Sequence, residues 1–440
     1  MKNKLLFDRI GSGHIHFIGC GGAGMCCLAL IMKELGASVS GSDLKESDNT
    51  ELLLKSGIPV TIGHSVKNLP SADNDAIIVR SAAVRADNPE FYASNLAGFK
   101  SFTRGEFLAV LASGYMRVVS IGGSHGKTSV TAMLVHVLKD AGLRPGFMIG
   151  GKVCGWASPA AAGDGDIFVT EADESDGSLT LLRSNIAVVT NIDDDHAWSV
   201  GGEDKLYANF AEFGRNSEKV LYLGSKNADS VLSSNPCGIR LDKEREAAKV
   251  VHPGWGFFQR SNASLAASAA VQLGMGGDKV LESVVSFPGV ERRMSVRYSS
   301  VDFVLVEDYA HHPVELSASI GALREKFPDW RLRVVFQPHR QARLEKYIGQ
   351  FACELRKADE VTVVPVFAAW SEMGPLSSRD LAIKTGKTAK FSDCGWEKLA
   401  EKLALESSKR EVLAIIGAGD INELIPHLKS ALGKICLTHK

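Results

Sequence analysis

Arg117-Val118-Val119-Ser120-Ile121-Gly122-Gly123-Ser124-His125-Gly126-Lys127-Thr128-Ser129 is the stretch that decides the fold. Its apolar run predicts a strand over Arg117–Ile121. Its glycines predict a turn over Gly122–Gly126, and the residues beyond predict a helix over Ser129–Leu138. A phosphate-binding loop needs small residues, so that backbone N–H groups can face the anion. It also needs a lysine for the β- and γ-phosphates, a hydroxyl for Mg²⁺ and a helix N-terminus aimed at the charge. All four are present. The stretch departs from the full G-x-x-x-x-G-K-[ST] pattern at Ile121, where the pattern has glycine.

The same unit recurs on both sides. Strand, glycine-rich turn and helix follow one another at His14–Leu35 and, less strictly, at Val304–Leu323. This alternation implies an α/β chain of parallel sheets with helices on both faces. Near the N-terminus a strand His14–Ile18 leads into Gly19-Cys20-Gly21-Gly22-Ala23-Gly24, a helix Met25–Leu35 and a second strand Ala37–Ser40. Asp43 stands 19 residues beyond Gly24. This is the dinucleotide fingerprint with its ribose-binding acid. Its physics is less specific than its name, because any diphosphate can dock on that helix end and Asp43 can hold any ribose. An NAD-dependent oxidoreductase therefore stands as one reading.

Downstream, strands are predicted at Asp166–Thr170, Ile186–Thr190 and Lys219–Leu223. Glu171, Asp173, Glu174 and Asp176 crowd the residues after the first, and carboxylates so close repel one another unless a cation is near. Glu171, read as the first residue past the strand, suits Mg²⁺. Asn191–His196 follows the second strand with three acids and a histidine. Ser225–Phe258 has no clear pattern, and a helix is predicted over Asn262–Leu273. Strands at Phe303–Glu307, Leu332–Gln337, Val361–Pro365 and Val412–Ile416 follow. Tyr309, His311, His339, Arg340 and Gly417–Asp420 come after three of them, where the cleft of an α/β sheet lies. Arginine, tyrosine and histidine together suit a small zwitterion.

Composition narrows the function classes. Fifty Lys and Arg against 51 Asp and Glu give a net charge of −1 over 440 residues, which argues against a generally basic nucleic-acid binder. There is no apolar run of about 18 residues, so no membrane span is expected. The N-terminal segment lacks a signal-peptide pattern. Eight scattered cysteines without a C-x-x-C pair read as reduced thiols in a cytoplasmic protein and make zinc an unexpected ligand.

Together these motifs resemble the Mur ligase family, in order and over nearly the whole chain. Phe17–Met25, Ser40–Asp43, Ser81–Val84, Asp87–Glu90 and Arg104–Glu106 are similar to its UDP-sugar domain. Gly123–Thr128, Glu171–Gly177, Asn191–His196 and Arg292-Arg293 are similar to its ATPase domain. Asp308–Glu315, Phe336–Arg340 and Gly417–Ile421 are similar to its amino-acid-binding domain. The strings Phe336–Arg340 and Glu171–Asp176 look like those of the alanine-adding branch.

The resemblance implies three domains: a Rossmann-like UDP-binding domain over 1–107, a central P-loop ATPase domain with a parallel sheet over 108–293, and a C-terminal Rossmann-like domain over 294–440. It implies ATP-dependent joining of L-alanine to the lactyl carboxylate of UDP-N-acetylmuramate through an acyl phosphate, with Mg²⁺, no nucleic acid, no membrane, and a monomer or weak dimer. By the same likeness Lys127, Glu171 and His196 are catalytic. Gly122, Gly123, Ser124, His125, Gly126, Lys127, Thr128, Asn262 and Arg292 would bind ATP, and Thr128, Glu171 and His196 would hold Mg²⁺. Gly19, Gly21, Gly22, Gly24, Met25, Asp43, Ser81 and Arg104 would bind the UDP-sugar, and Tyr309, His339 and Arg340 the alanine.

There are departures. Ser124 and Ser129 replace two threonines of the family loop, and Ser81-Ala82-Ala83 replaces Ser-Ser-Ala. Ser261-Asn262-Ala263-Ser264-Leu265 keeps one asparagine of the family's His-Asn-x-x-Asn. The close alternative within the family is a ligase that recycles whole peptides onto the same sugar nucleotide. A binding protein that has lost catalysis is another reading, prompted by the missing second asparagine.

Overall fold

The computed structural model describes residues 13–71, 76–194, 197–368 and 374–438. Its contacts divide the chain into two compact units. Met1–Val251 with Ser261–Pro288 forms one, and His252–Arg260 with Gly289–Lys440 forms the other. The first unit contains two sheets and the second unit one.

The first sheet comprises β1 (His14–Ile18), β2 (Ser38–Asp43), β3 (Val60–Ile62), β4 (Ile77–Arg80) and β5 (Lys100–Thr103), in the order β3-β2-β1-β4-β5. All its pairs are parallel. The chain runs outward from β1 through β2 to β3, then crosses to β4 and β5 on the other side. A reversal of this kind opens a crevice at the carboxyl ends of the two middle strands. The helix Ala23–Glu34 packs Met25, Leu28, Ile31 and Met32 into the core behind it.

The second sheet comprises β6 (Arg117–Gly122), β7 (Gly146–Met148), β8 (Ala160–Ala161), β9 (Ile167–Glu171), β10 (Ser184–Val189), β11 (Ser217–Leu223) and β12 (Gly238–Leu241). Its order is β12-β11-β10-β6-β9-β7-β8, parallel except for the short edge strand β8. Val118, Val119, Ile121, Phe168, Val169 and Val188 are buried, as strands covered on both faces require. β6 lies between β9 and β10, with Ile121 opposite Glu171 and Gly122 opposite Val189. Glu171 is thus the last residue of its strand, one position earlier than the sequence suggests.

The third sheet comprises β13 (Ser295–Ser299), β14 (Phe303–Asp308), β15 (Arg331–Phe336), β16 (Glu360–Val363), β17 (Ala389–Phe391) and β18 (Glu411–Ile416), in the order β13-β14-β18-β15-β16-β17. β18 is inserted between β14 and β15, so this sheet too has a reversal point at its middle strands. Only the β13–β14 pair is antiparallel. Among the described residues no helix is long and apolar enough to cross a membrane.

Candidate active site

The turn after β6 is shaped by two glycines. Gly123 has φ +132° and Gly126 φ +87°. A Cβ at Gly123 would collide with Thr190 Oγ1, and one at Gly126 would come within 2.7 Å of Asn262 Oδ1. The turn is therefore seated on the end of β10 and against Asn262. Thr190 Oγ1 donates to the His125 carbonyl (2.6 Å), and the Asn191 side chain accepts from His125 N (3.0 Å) and donates to His125 O (2.9 Å). Ser124 and Asp193 hold each other through side chain and backbone, at 2.9 and 3.1 Å. These bonds leave a preformed loop at the start of the helix Lys127–Asp140.

Lys127 Nζ donates to Gly123 O (2.5 Å) and pairs with Glu174 Oε2 (2.7 Å). Burial works against its charge, but Glu174 and Asp173 outweigh burial and hold its pKa above the usual lysine value. Burial pushes the Glu174 carboxyl up to about 7, although Lys127 pulls the other way. Thr128 Oγ1 donates to Glu171 Oε2 at 3.2 Å, and Gly150 N donates to Glu171 Oε1 at 2.6 Å. Those two facing oxygens are hard donors, and their spacing is close to the edge of an Mg²⁺ octahedron, about 2.9 Å. Among the described residues no group of three His, Cys, Asp or Glu side chains is arranged as a metal site. A Mg²⁺ site with two protein oxygens, completed by phosphate and water, is the usual form for this ion. Asp195 and His196 lie outside the described residues.

In the first sheet the reversal point gathers the glycine-rich turn. Gly21 N donates to Asp43 Oδ2 (2.8 Å), and a Cβ at Gly19 would touch Ser81 Cβ. Arg104 lies beside Gly24 and pairs with Asp173 (3.1 Å) and Asp176 (2.7 Å). Gly19, Gly21, Gly24, Asp43, Ser81 and Arg104 therefore line one crevice, and Arg104 links it to the acidic loop after β9. Met25 is buried in the core, so its side chain packs rather than faces the crevice.

The second unit gathers its own group. The Arg292 and Arg293 guanidinium carbons lie 5.0 and 4.9 Å from the centre of the Tyr309 ring. His311 packs between Tyr309 (5.4 Å) and His339 (5.5 Å). Burial, then the charges of His311, Arg343, Arg340 and Arg292, lower His339 to about 3. Its ring is thus a neutral contact at ordinary pH. Arg340 has φ +65° and donates its N–H to Phe367 O (2.9 Å). Arg292 donates to the carbonyls of Gly417 (3.0 Å) and Gly419 (2.9 Å), so it belongs to the second unit.

Residues 14–116 match the description Mur ligase family, catalytic domain. Residues 121–234 match Mur ligase middle domain, and 292–419 match Mur ligase, glutamate ligase domain. The chain belongs to the Mur ligase family. It is 33% identical to the UDP-N-acetylmuramate–L-alanine ligase of Paenarthrobacter aurescens, over 96% of this chain and 97% of that one. It is 34% identical to the ligase of the same name from Sorangium cellulosum, over 95% and 96%. Among solved structures, the UDP-N-acetylmuramate–alanine ligase of Thermotoga maritima superposes with a TM-score of 0.80 at 26% identity, covering 96% of this chain and 99% of that one.

In this Mur ligase several site residues escape sequence reading. Glu174 is one of four nearby acids, and nothing in the string says that it is the one paired with Lys127. Asn191 reads as part of an acidic loop, yet it braces the phosphate turn. Asp308, buried and raised to about 6 by that burial, accepts Met294 N (2.7 Å) and Ala310 N (2.8 Å) and so shapes the loop carrying Tyr309. Partners of this kind come from distant segments, and spacing along the chain carries no signal of them.

Proposed function

We propose that the chain is an ATP-dependent ligase that joins L-alanine to the lactyl carboxylate of UDP-N-acetylmuramate. The observation that carries this reading is the pairing of Lys127 with Glu174 and of Thr128 with Glu171 where the phosphate loop meets the end of β9, in a chain that matches alanine ligases over about 96% of its length. A carboxylate is a poor acyl donor because its oxyanion leaves badly. Transfer of the γ-phosphoryl group converts that oxygen into part of a phosphate leaving group. The alanine amine then attacks the acyl carbon, and phosphate departs.

The burden on the protein is charge, since a triphosphate and two carboxylates must come together. Lys127 and the backbone N–H groups at the helix start, Gly126–Thr128, hold the phosphates, on a loop fixed by the bonds of Ser124 N and His125 N to Asn191. Thr128 and Glu171 would hold Mg²⁺, with His196 carried over by resemblance, and the ion when bound would offset phosphate charge. Asn262, which lies against Gly126, and Arg292 are both carried over to the nucleotide side by resemblance. Gly19–Gly24, Asp43, Ser81 and Arg104 hold the UDP-sugar, and Tyr309, His339 and Arg340 hold the alanine. The described cysteines are all free thiols, which fits a reducing cytoplasm.

The test is a coupled ADP assay with ATP, Mg²⁺, UDP-N-acetylmuramate and a panel of acceptors. Alanine-dependent ADP release is expected. Its absence from folded protein refutes the reading, and a preference for a tripeptide over alanine would install the recycling reaction instead. Family membership leaves the oxidoreductase alternative without support, since that chemistry gives Lys127 no task.

A further inference from the structure

Glu90 is completely buried, yet it sits among neutral donors and histidines rather than beside a lysine or arginine. Ser42 Oγ donates to Oε2 (2.6 Å) and His16 Nε2 lies 3.2 Å from the same oxygen. Asn68 Nδ2 (2.5 Å) and Ser65 N (3.0 Å) donate to Oε1, and His64 Nδ1 is 3.5 Å away. Burial alone would raise this carboxyl, but the donors hold it down to about 2, so it stays ionised. A buried ion so fully satisfied is costly to disturb, because each donor loses its partner when it goes.

The donors come from β1, from the end of β2 and from the loop after β3. Each of the last two reaches the UDP-sugar crevice by a further bond. The Ser42 carbonyl accepts Gly19 N (2.8 Å) and Cys20 N (3.0 Å), which fixes the start of the glycine turn. Ser42 also adjoins Asp43. In the loop after β3, Gly63 N donates to Asp43 O (2.7 Å), and Asn68 Nδ2 donates to Gly63 O (2.9 Å). Glu90 touches neither the glycine turn nor the Asp43 carboxylate, but it holds both neighbours that place them.

We infer that Glu90 is a positioning residue for the diphosphate and ribose of the nucleotide-sugar, acting through Ser42 and through the loop 63–68. This rests on the assignment of that crevice to the UDP-sugar. The test compares wild type with Glu90→Gln and with the milder Ser42→Ala. UDP binding is measured by calorimetry, alongside KM for each substrate and the thermal midpoint. Glutamine keeps the size of the side chain but turns one acceptor into a donor facing donors. Glu90→Gln is expected to raise KM for the nucleotide-sugar, and Kd for UDP, by about tenfold, with kcat at saturation and the KM values for ATP and alanine within about twofold. Ser42→Ala is expected to move the same two constants in the same direction by less. If Glu90→Gln fails to fold, Ser42→Ala decides alone. Unchanged UDP affinity in a folded variant overturns the inference, as does a parallel change in all three KM values. A wild-type chain without affinity for UDP overturns both the crevice assignment and this inference, while a wild type that binds UDP but forms no product refutes only the ligase reaction.

Discussion

Two groups of charged side chains in this protein are built on different plans. Around the loop leaving β9, Lys127 and Arg104 stand with Glu171, Asp173, Glu174 and Asp176, two positive charges among four carboxylates. At the starting ends of the third sheet's strands, Arg331, Arg333 and Lys390 are interleaved with Glu360, Glu406 and Glu411, three against three. Arg333 is 2% exposed and Glu411 fully buried, and the Leu403 carbonyl takes a further guanidinium bond. The second group is complete as it stands. The first carries excess negative charge at the place proposed for the nucleotide, and on that proposal a divalent cation would be part of the substrate rather than an accessory.

If that contrast is right, the two groups fail differently when cut. Lys127→Ala removes the cation of the phosphate loop, and kcat/KM for ADP release is expected to fall by about a thousandfold or more with the fold intact. A rate within about tenfold of wild type would take the loop out of the reaction. Arg333→Met leaves the Oε1 of buried Glu411 without its guanidinium while Arg331 and Ser408 still hold Oε2, and unfolding in urea is expected to show a loss of about 3 kcal/mol with kcat of the folded fraction unchanged. A matching loss of kcat there would break the division between a binding group and a structural one.

The two groups also differ in how far the sequence discloses them. The phosphate loop announces itself, because glycine, lysine and threonine at fixed spacing between strand and helix have one common use. The middle strands β1, β6, β9, β10, β14, β15 and β18 are nearly as plain, since strands buried on both faces are mostly apolar even where His16 or Arg333 interrupts the run. All six edge strands escape the pattern: β3, β5, β8, β12, β13 and β17. They are two to five residues long, and most of their residues are half-exposed, as in Ala389–Phe391, so neither alternation nor an apolar run marks them. The stretch 225–258 resists reading for the same reason, being β12 with the short helices Lys226–Leu232 and Lys243–Ala248. The ion network of Arg333 is invisible in sequence, because its members come from four segments and mean nothing until the sheet assembles.

Metal dependence probes the excess charge directly. Glu171→Gln keeps an oxygen beside Thr128 but removes a negative charge. The Mg²⁺ concentration for half-maximal ADP release is expected to rise by about tenfold. An unchanged titration would assign Glu171 to the loop's architecture through Gly150 instead.

The smallest effect, and the one that separates the groups by sign, is the dependence of stability on pH. Burial works against the Glu360 charge, but Lys390 and Arg333 outweigh it and lower its pKa below the ordinary 4.5. A carboxyl lowered in the folded state contributes stability that is present above its unfolded value and is lost as pH falls below it. Glu174 has the opposite sense. Burial raises it to about 7, so between 4.5 and 7 the folded chain binds the proton more readily than the unfolded chain does. Stability then declines as pH rises through that window. Thermal midpoints without nucleotide or metal should therefore show Glu174→Gln gaining on wild type from about pH 5 to about pH 7. Glu360→Gln should show its deficit at neutral pH and lose it in acid. Parallel curves for Glu174→Gln and wild type would mean that Lys127 compensates the buried carboxylate in full, and the two groups would then be electrostatically alike.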